Sequence, residues 1–405
     1  MIKLAFPFAS RHPQRKLSKF IIGQKGIKST LDYIELNPSK RTIWIHASSF
    51  GEFAIARPLI SLLRDYNIVI TFFSPSGYEP VTSERKYRNV LYLPLDTRRN
   101  VKTFLDIVKP DAAVFMVSEL WVGYLNELYM RHVPTILVSA LIRRDSVYFK
   151  PYGILYRHVI RNLSHIFCLD QYSYINLQLL KAHSVEISGD PLFDNASINA
   201  LRPYSNKIVD AFKKDDSLFI AGSIDGNKDL KLVASLANRH RDIKFLIIPH
   251  TIGQNQLNGI IASLDGRTLL YSECNENTDF SDVQVLIIDY FGELPYLYRY
   301  GTWAYVGGGF SNYLHSVIEP VVYGLPVSFG PNIKRKTTPR QLIELGIGNS
   351  VANSFQLNKW FVKLRENKNS TFQIRRSAIE YVDANRGAYQ MIVDKIKCLA
   401  DGHSA

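Results

Sequence analysis

The sequence predicts two parallel-sheet α/β domains in tandem, on three observations. The chain has 405 residues and is 46% hydrophobic, enough to bury two substantial cores. Its strand-like runs are continuously apolar, as in sheets covered on both faces, where one-sided sheets would alternate. Each run is followed by a helix-like segment, and that order restarts in the second half.

The first half opens with "TIWIHA" (42–47), followed by the helical "EFAIARPLISLLRDY". "NIVITFF" leads into "PSGYEPVTSERKY", and "NVLYLPL" into "TRRNVKTFLDIVK". "DAAVFMV" precedes "ELWVGYLNELYMRH", then comes "PTILVSA", and "SHIFCLD" and "SVEISG" close the unit near Asp190. After a polar stretch around Arg202 to Lys207, strands are expected at "SLFIAGS", "KFLIIPH", "TLLYSE", "VQVLIID", "TWAYVGGG" and "PVSFG". The domain boundaries expected are 1–200, 201–385 and a C-terminal helix over 386–405. Open α/β sheets bind ligands beyond the carboxyl ends of their strands, so both strand-end rims are expected to face a shared cleft.

A formal charge of +13 calls for an anionic partner: nucleic acid, acidic lipid or a phosphorylated substrate. Basic residues are scattered and form no nucleic-acid motif, so no nucleic-acid partner is expected. Three widely spaced cysteines (Cys168, Cys274, Cys398) make neither a disulfide framework nor a metal cluster and suit a reducing compartment. HExxH and GxxxxGK[ST] patterns are missing, which removes metalloprotease and P-loop chemistry. No apolar stretch is long enough to span a bilayer, and the N-terminus lacks the apolar core of a secretory signal. The opening "MIKLAFPFASRHPQRKLSKFII" mixes apolar and basic residues. It reads equally as a segment resting on an anionic membrane, at roughly 1 kcal/mol per basic residue, or as a basic terminus packed on the protein. Pro7 and Pro13 argue against one continuous helix there.

The strand-end loops hold the candidate chemistry. In "HASSFGE" (46–52), Ser48, Ser49 and Gly51 form a tight turn at a helix start, suited to an anion. Glu52 reads either as a first-turn carboxylate favourable to the helix dipole or as a general base. Glu119 in "SELW" takes the same position three strands later, in the first turn of a helix capped by Ser118. Trp121 lines an acceptor pocket or covers the core. In the second half, His250 ends a strand, and Gly307, Gly308 and Gly309 follow another, allowing backbone to approach a ligand. Glu319 is placed to bind sugar or ribose hydroxyls or to hold that loop. Lys334, Arg335 and Lys336 are either ligand-facing or a solvated basic loop.

"WIHASSFGE", "SELW", "SGDPLFDN", "GELPYLYRYGTWAYVGGGF" and "HSVIEPVVYGLPVSFGPN", in that order from about Trp44 to Glu344, resemble the Kdo transferases. These bacterial enzymes add 3-deoxy-D-manno-octulosonic acid (Kdo) to a lipid A precursor. The resemblance implies a GT-B glycosyltransferase fold, two Rossmann-like domains facing a central cleft, with the acceptor held by the first domain, CMP-Kdo by the second, and the C-terminal helix over 386–405 crossing back to the first domain. It implies inverting transfer without metal or cofactor, with Glu52 as general base and Glu119 as a second acidic group. It places His250, Gly308, Gly309, His315 and Glu319 in the donor region; Ser49, Gly51, Gly307, Ser316 and Asn332, beside these motif positions, complete the expected substrate-binding set. The expected partners are CMP-Kdo, a lipid A precursor and the anionic inner-membrane surface, met peripherally from the cytoplasmic face.

The sequence departs from the family at two points. Ser316 stands where an asparagine is usual, and Thr338 where a carboxylate is expected. These departures leave room for a GT-B enzyme using a UDP-sugar, or for a catalytically silent membrane-associated binding protein.

Overall fold

All five residues of strand β1 (Thr42–His46) are buried, because helices cover both faces of its sheet. The computed structural model describes residues 23–24, 31–117, 120–311, 313–333 and 336–402. The chain divides into two units, Met1–Asp194 with Arg386–Ala405, and Asn195–Asn385.

In the first unit β1 is followed by α1 (Phe50–Leu62), β2 (Asn67–Phe72), α2 (Pro75–Ser83), β3 (Asn89–Tyr92) and α3 (Arg98–Val108). Then come β4 (Ala112–Met116), α4 (Val122–Met130), β5 (Thr135–Ala140), α5 (Ile154–Arg161), β6 (His165–Cys168), α6 (Gln171–Leu179) and β7 (Val185–Ile187). The seven strands are parallel in the order β3-β2-β1-β4-β5-β6-β7. The order reverses between β1 and β4, which pair directly, with His46 opposite Phe115. Trp44 anchors the core on one face, its ring 4.8 Å from Phe104, 5.1 Å from Phe115 and 5.5 Å from Tyr124.

Helix α7 (Leu192–Leu201) carries the chain across the unit boundary, which falls at Asp194 rather than at residue 200. A boundary inside a helix leaves no compositional mark, and the polar run at 202–207 follows it.

The second unit contains α8 (Lys207–Lys213), β8 (Leu218–Ile224), α9 (Gly226–Arg239), β9 (Lys244–Pro249), α10 (Gln254–Ala262), β10 (Thr268–Leu270), β11 (Val285–Ile287) and α11 (Leu294–Leu297). It continues with β12 (Trp303–Val306), α12 (Ile318–Val321), β13 (Val327–Phe329), α13 (Thr337–Glu344), β14 (Gly348–Ser350), α14 (Ser354–Glu366) and α15 (Lys368–Asn385). Its seven parallel strands run β10-β11-β9-β8-β12-β13-β14, reversing between β8 and β12. The edge strand β14 was not expected: "GNS" has no apolar run, and pairing with β13 makes it a strand.

The last helix, α16 (Ala388–Ala400), belongs to the first unit. Its Ile392, Val393 and Ile396 pack in the same buried cluster as Phe53, Leu59 and Val114. Asp194 caps it from afar, accepting from the Gly387 N–H (2.7 Å) and the Ala388 N–H (2.9 Å).

Candidate active site

In the first unit the sheet order reverses between β1 and β4, and ligands of open α/β sheets bind at such a point. The loops leaving those two strands carry Glu52 and residues 118–119. Glu52 sits in the first turn of α1, whose N-cap Ser49 makes no side-chain cap. The Ser48 N–H donates to Glu52 Oε2 at 2.5 Å, so the carboxylate turns back over the helix start and is fixed at the strand end. Beside it, a Cβ on Gly51 would meet nothing nearer than Ser49 Oγ at 4.0 Å. Among the described residues packing does not require a glycine there.

His46 is fully buried beneath this loop. The Trp121 indole N–H donates to its Nε2 (3.0 Å), which puts the ring proton on Nδ1, 2.9 Å from Thr71 Oγ1. Burial pushes its pKa down to about 3, and it stays a neutral strut. Trp121 therefore covers the rim by pinning this histidine.

Glu119, with Ser118, lies outside the described residues. Helix α4 begins only at Val122, so residue 119 precedes the helix and is not in its first turn. Asp96 caps that helix instead, accepting from the Gly123 N–H at 2.9 Å. Val117, just before residues 118–119, has φ of 61°, a costly conformation for a β-branched residue and one found preferentially at functional loops.

In the second unit the reversal brings together the loops after β8 and β12. All three glycines of "GGG" are demanded by packing: a Cβ on Gly307 would lie 2.1 Å from the Ser223 carbonyl oxygen, one on Gly308 2.1 Å from that of Tyr313, and one on Gly309 2.5 Å from the Gly330 nitrogen. Gly308 also has φ of 86°. The triplet thus lets three strand-end loops close on one another. Asp229, fully buried on α9, locks that closure: it accepts from the Tyr305 hydroxyl (2.6 Å), the Gly308 N–H (2.7 Å) and the Asp225 N–H (3.3 Å). The Gly308 amide is therefore occupied within the protein and does not face a ligand. Sequence reasoning missed Asp229; only its three-dimensional neighbours reveal it.

The His250 and His315 rings lie 4.3 Å apart. His250 is exposed, while His315 Nε2 is buried with no hydrogen-bond partner among the described residues. Burial and then the neighbouring His250 lower the His315 pKa to about 4, so this ring is neutral. Lys336 joins the group, donating to the Leu314 carbonyl and standing 4.7 Å from the centre of the Tyr313 ring. Asn332 lies against the glycine loop, its N–H donating to the Gly309 carbonyl at 2.8 Å and its side chain to that of Ser311. Ser316 is half-buried one residue beyond His315. Glu319, in the first turn of α12, retains some solvent exposure yet is surrounded closely enough that burial raises its pKa to about 7. Lys334 and Arg335 lie outside the described residues.

The family described as "3-Deoxy-D-manno-octulosonic-acid transferase (kdotransferase)" matches residues 24–195. A 3-deoxy-D-manno-octulosonic acid transferase of Haemophilus influenzae is 26% identical over 379 residues, covering 89% of this chain and 87% of the relative. One from Aquifex aeolicus is 26% identical over 330 residues, covering 80% and 85%. The chain is thus similar to the Kdo transferases, over residues 24–195 by the family model and over most of its length by these relatives. Its two parallel-sheet units have the GT-B fold. UDP-GlcNAc 2-epimerase from Neisseria meningitidis shares that fold at TM-score 0.62 and 17% identity, over 87% of this chain and 98% of the epimerase. As in other Rossmann-like units, the chain presents each candidate site at the point where a sheet's strand order reverses.

Proposed function

We propose that the protein transfers Kdo from CMP-Kdo to a lipid A precursor, inverting the anomeric centre without a metal, with Glu52 as the general base. The observation that carries this reading is the Glu52 carboxylate, held at the end of β1 by the Ser48 amide. A carboxylate fixed in this way takes the proton from an acceptor hydroxyl as its oxygen attacks the anomeric carbon. The bond to the CMP phosphate oxygen breaks in the same step, and CMP leaves as an anion. His250, His315 and Lys336 form a polar group beside the glycine loop of the second unit, and they suit the anionic donor. Glu119 is assigned, by its motif, to placing the acceptor. The positive charge of the chain attracts the donor, the acceptor phosphates and an anionic membrane surface, where the protein acts peripherally.

Transfer from CMP-Kdo to a tetraacylated disaccharide bisphosphate tests this reading. Glu52→Gln is expected to lower kcat by about 10²- to 10⁴-fold with an unchanged circular dichroism spectrum. Full activity of that variant would remove the base assignment. The competing reading is a GT-B enzyme with a UDP-sugar donor. Stabilisation of the protein by CMP and not by UDP is expected, and the reverse would replace the donor.

A further inference from the structure

We propose that the turn joining β5 to α5, with Tyr152, Ile154 and Leu155 at its tip, is a docking surface for an anionic phospholipid bilayer. The inference rests on the Kdo-transfer reading only in supplying a reason for the contact, since a lipid-linked acceptor lies in such a bilayer.

Tyr152, Ile154 and Leu155 are 74%, 66% and 61% exposed, three large apolar side chains within four residues. Scattered exposed leucines are ordinary on soluble proteins, whereas a contiguous group marks an interaction surface. Nothing among the described residues covers this one. The turn is also held rigid. Arg157 Nη1 donates to the Tyr148 carbonyl (3.0 Å) and the Lys150 carbonyl (2.8 Å), and a Cβ on Gly153 would lie 2.1 Å from the Val147 carbonyl oxygen. The apolar side chains are thus displayed by a fixed turn.

Charge selects the partner. Between residues 143 and 181 the chain carries six lysines and arginines against two aspartates. Arg144 and Lys150 flank the tip and are exposed. Apolar side chains that enter the acyl boundary, ringed by cations that meet anionic headgroups, are the chemistry of a peripheral membrane contact. The topology agrees. The strands of the first unit are parallel, so the segment leaving Ala140 at the end of β5 emerges at the rim that holds His46 and Glu52. Tyr172, at the start of α6, is exposed where the chain leaves the neighbouring β6 on the same rim. A bilayer contacted there lies on the acceptor side of the unit. This surface is separate from the basic N-terminal stretch noted in the sequence, which lies outside the described residues.

Flotation of the full-length protein with phosphatidylcholine vesicles, with and without phosphatidylglycerol, tests the proposal. Wild type is expected to float with the anionic vesicles and to be released by salt. The triple variant Tyr152→Ser/Ile154→Ser/Leu155→Ser and the double variant Arg144→Gln/Lys150→Gln should each lose about tenfold or more in partition, with unchanged melting temperature. A third variant, Tyr152→Trp, should show a blue-shifted emission difference from wild type on adding anionic vesicles. Undiminished partition of the triple variant, equal binding to neutral vesicles, or no emission shift would each overturn the surface. So would failure of wild type to bind any vesicle while a soluble protein shields the turn. The same variants are assayed for Kdo transfer to a detergent-dispersed acceptor, where they should match wild type. If wild type binds vesicles through this turn but transfers no Kdo, the docking surface stands and the functional reading falls.

Discussion

At the residue scale, burial sets the protonation of two groups that the sequence shows only as letters. Glu319 has its pKa raised to about 7 by loss of solvent. Folding therefore favours its neutral form: its contribution to stability is fully present below the carboxyl's ordinary pKa and is lost as pH rises through about 7. His46 acts in the opposite direction, since its lowered pKa withdraws stability as pH falls below 6.5 toward 3. The Glu319 effect is isolated by comparing melting temperatures of wild type and Glu319→Gln between pH 5 and 8. Wild type should lose stability relative to the variant across that range; parallel curves would contradict the shift. Glu52 was legible as a strand-end carboxylate, and its two readings, helix start and base, remained open. The Ser48 amide that aims it became visible only in the folded loop, because it depends on how the chain turns between β1 and α1.

The clearest case at the element scale is the glycine loop after β12. Its three glycines suggested close approach to a ligand, but in the fold they permit close approach of neighbouring backbone. Asp229 lies 79 residues earlier in the chain, so neither motif nor period connects it to Gly308. Three donors converge on this one carboxylate. In Asp229→Asn an amide NH₂ must face at least one of them, which leaves a buried group unsatisfied at a cost of about 1–3 kcal/mol. We expect the variant to lose that much stability in urea unfolding and to raise the donor KM several-fold, leaving the acceptor KM unchanged; Asp229→Glu should recover part of the donor affinity. Equal effects on both substrates would reduce Asp229 to general stability. The strands were mostly legible because continuous apolar runs report burial on both faces. β14 was not, because an edge strand of three residues gains its identity from its partner.

On the scale of the whole molecule, the chain leaves the first unit near Asp194 and returns to it at Arg386. The Asp194 carboxylate, in the motif "SGDPLFDN", caps the returning helix. Asp194→Ala should cost about 1 kcal/mol, the worth of an N-terminal cap with a favourable dipole. Hydrogen exchange of the α16 amides should accelerate before that of the sheet; unchanged protection would mean that apolar packing alone holds the helix. By itself the sequence determined the fold class, the two-unit organisation and the strand-end addresses of Glu52 and His250. Those depend on local periodicity and on motif order, which are written along the chain. Tertiary structure alone decided that α7 spans the unit boundary, that Trp121 pins His46 and that Asp229 locks the glycine loop. Each of those depends on groups far apart in sequence meeting in a buried place, where an unpaired polar atom or an unfilled space is costly.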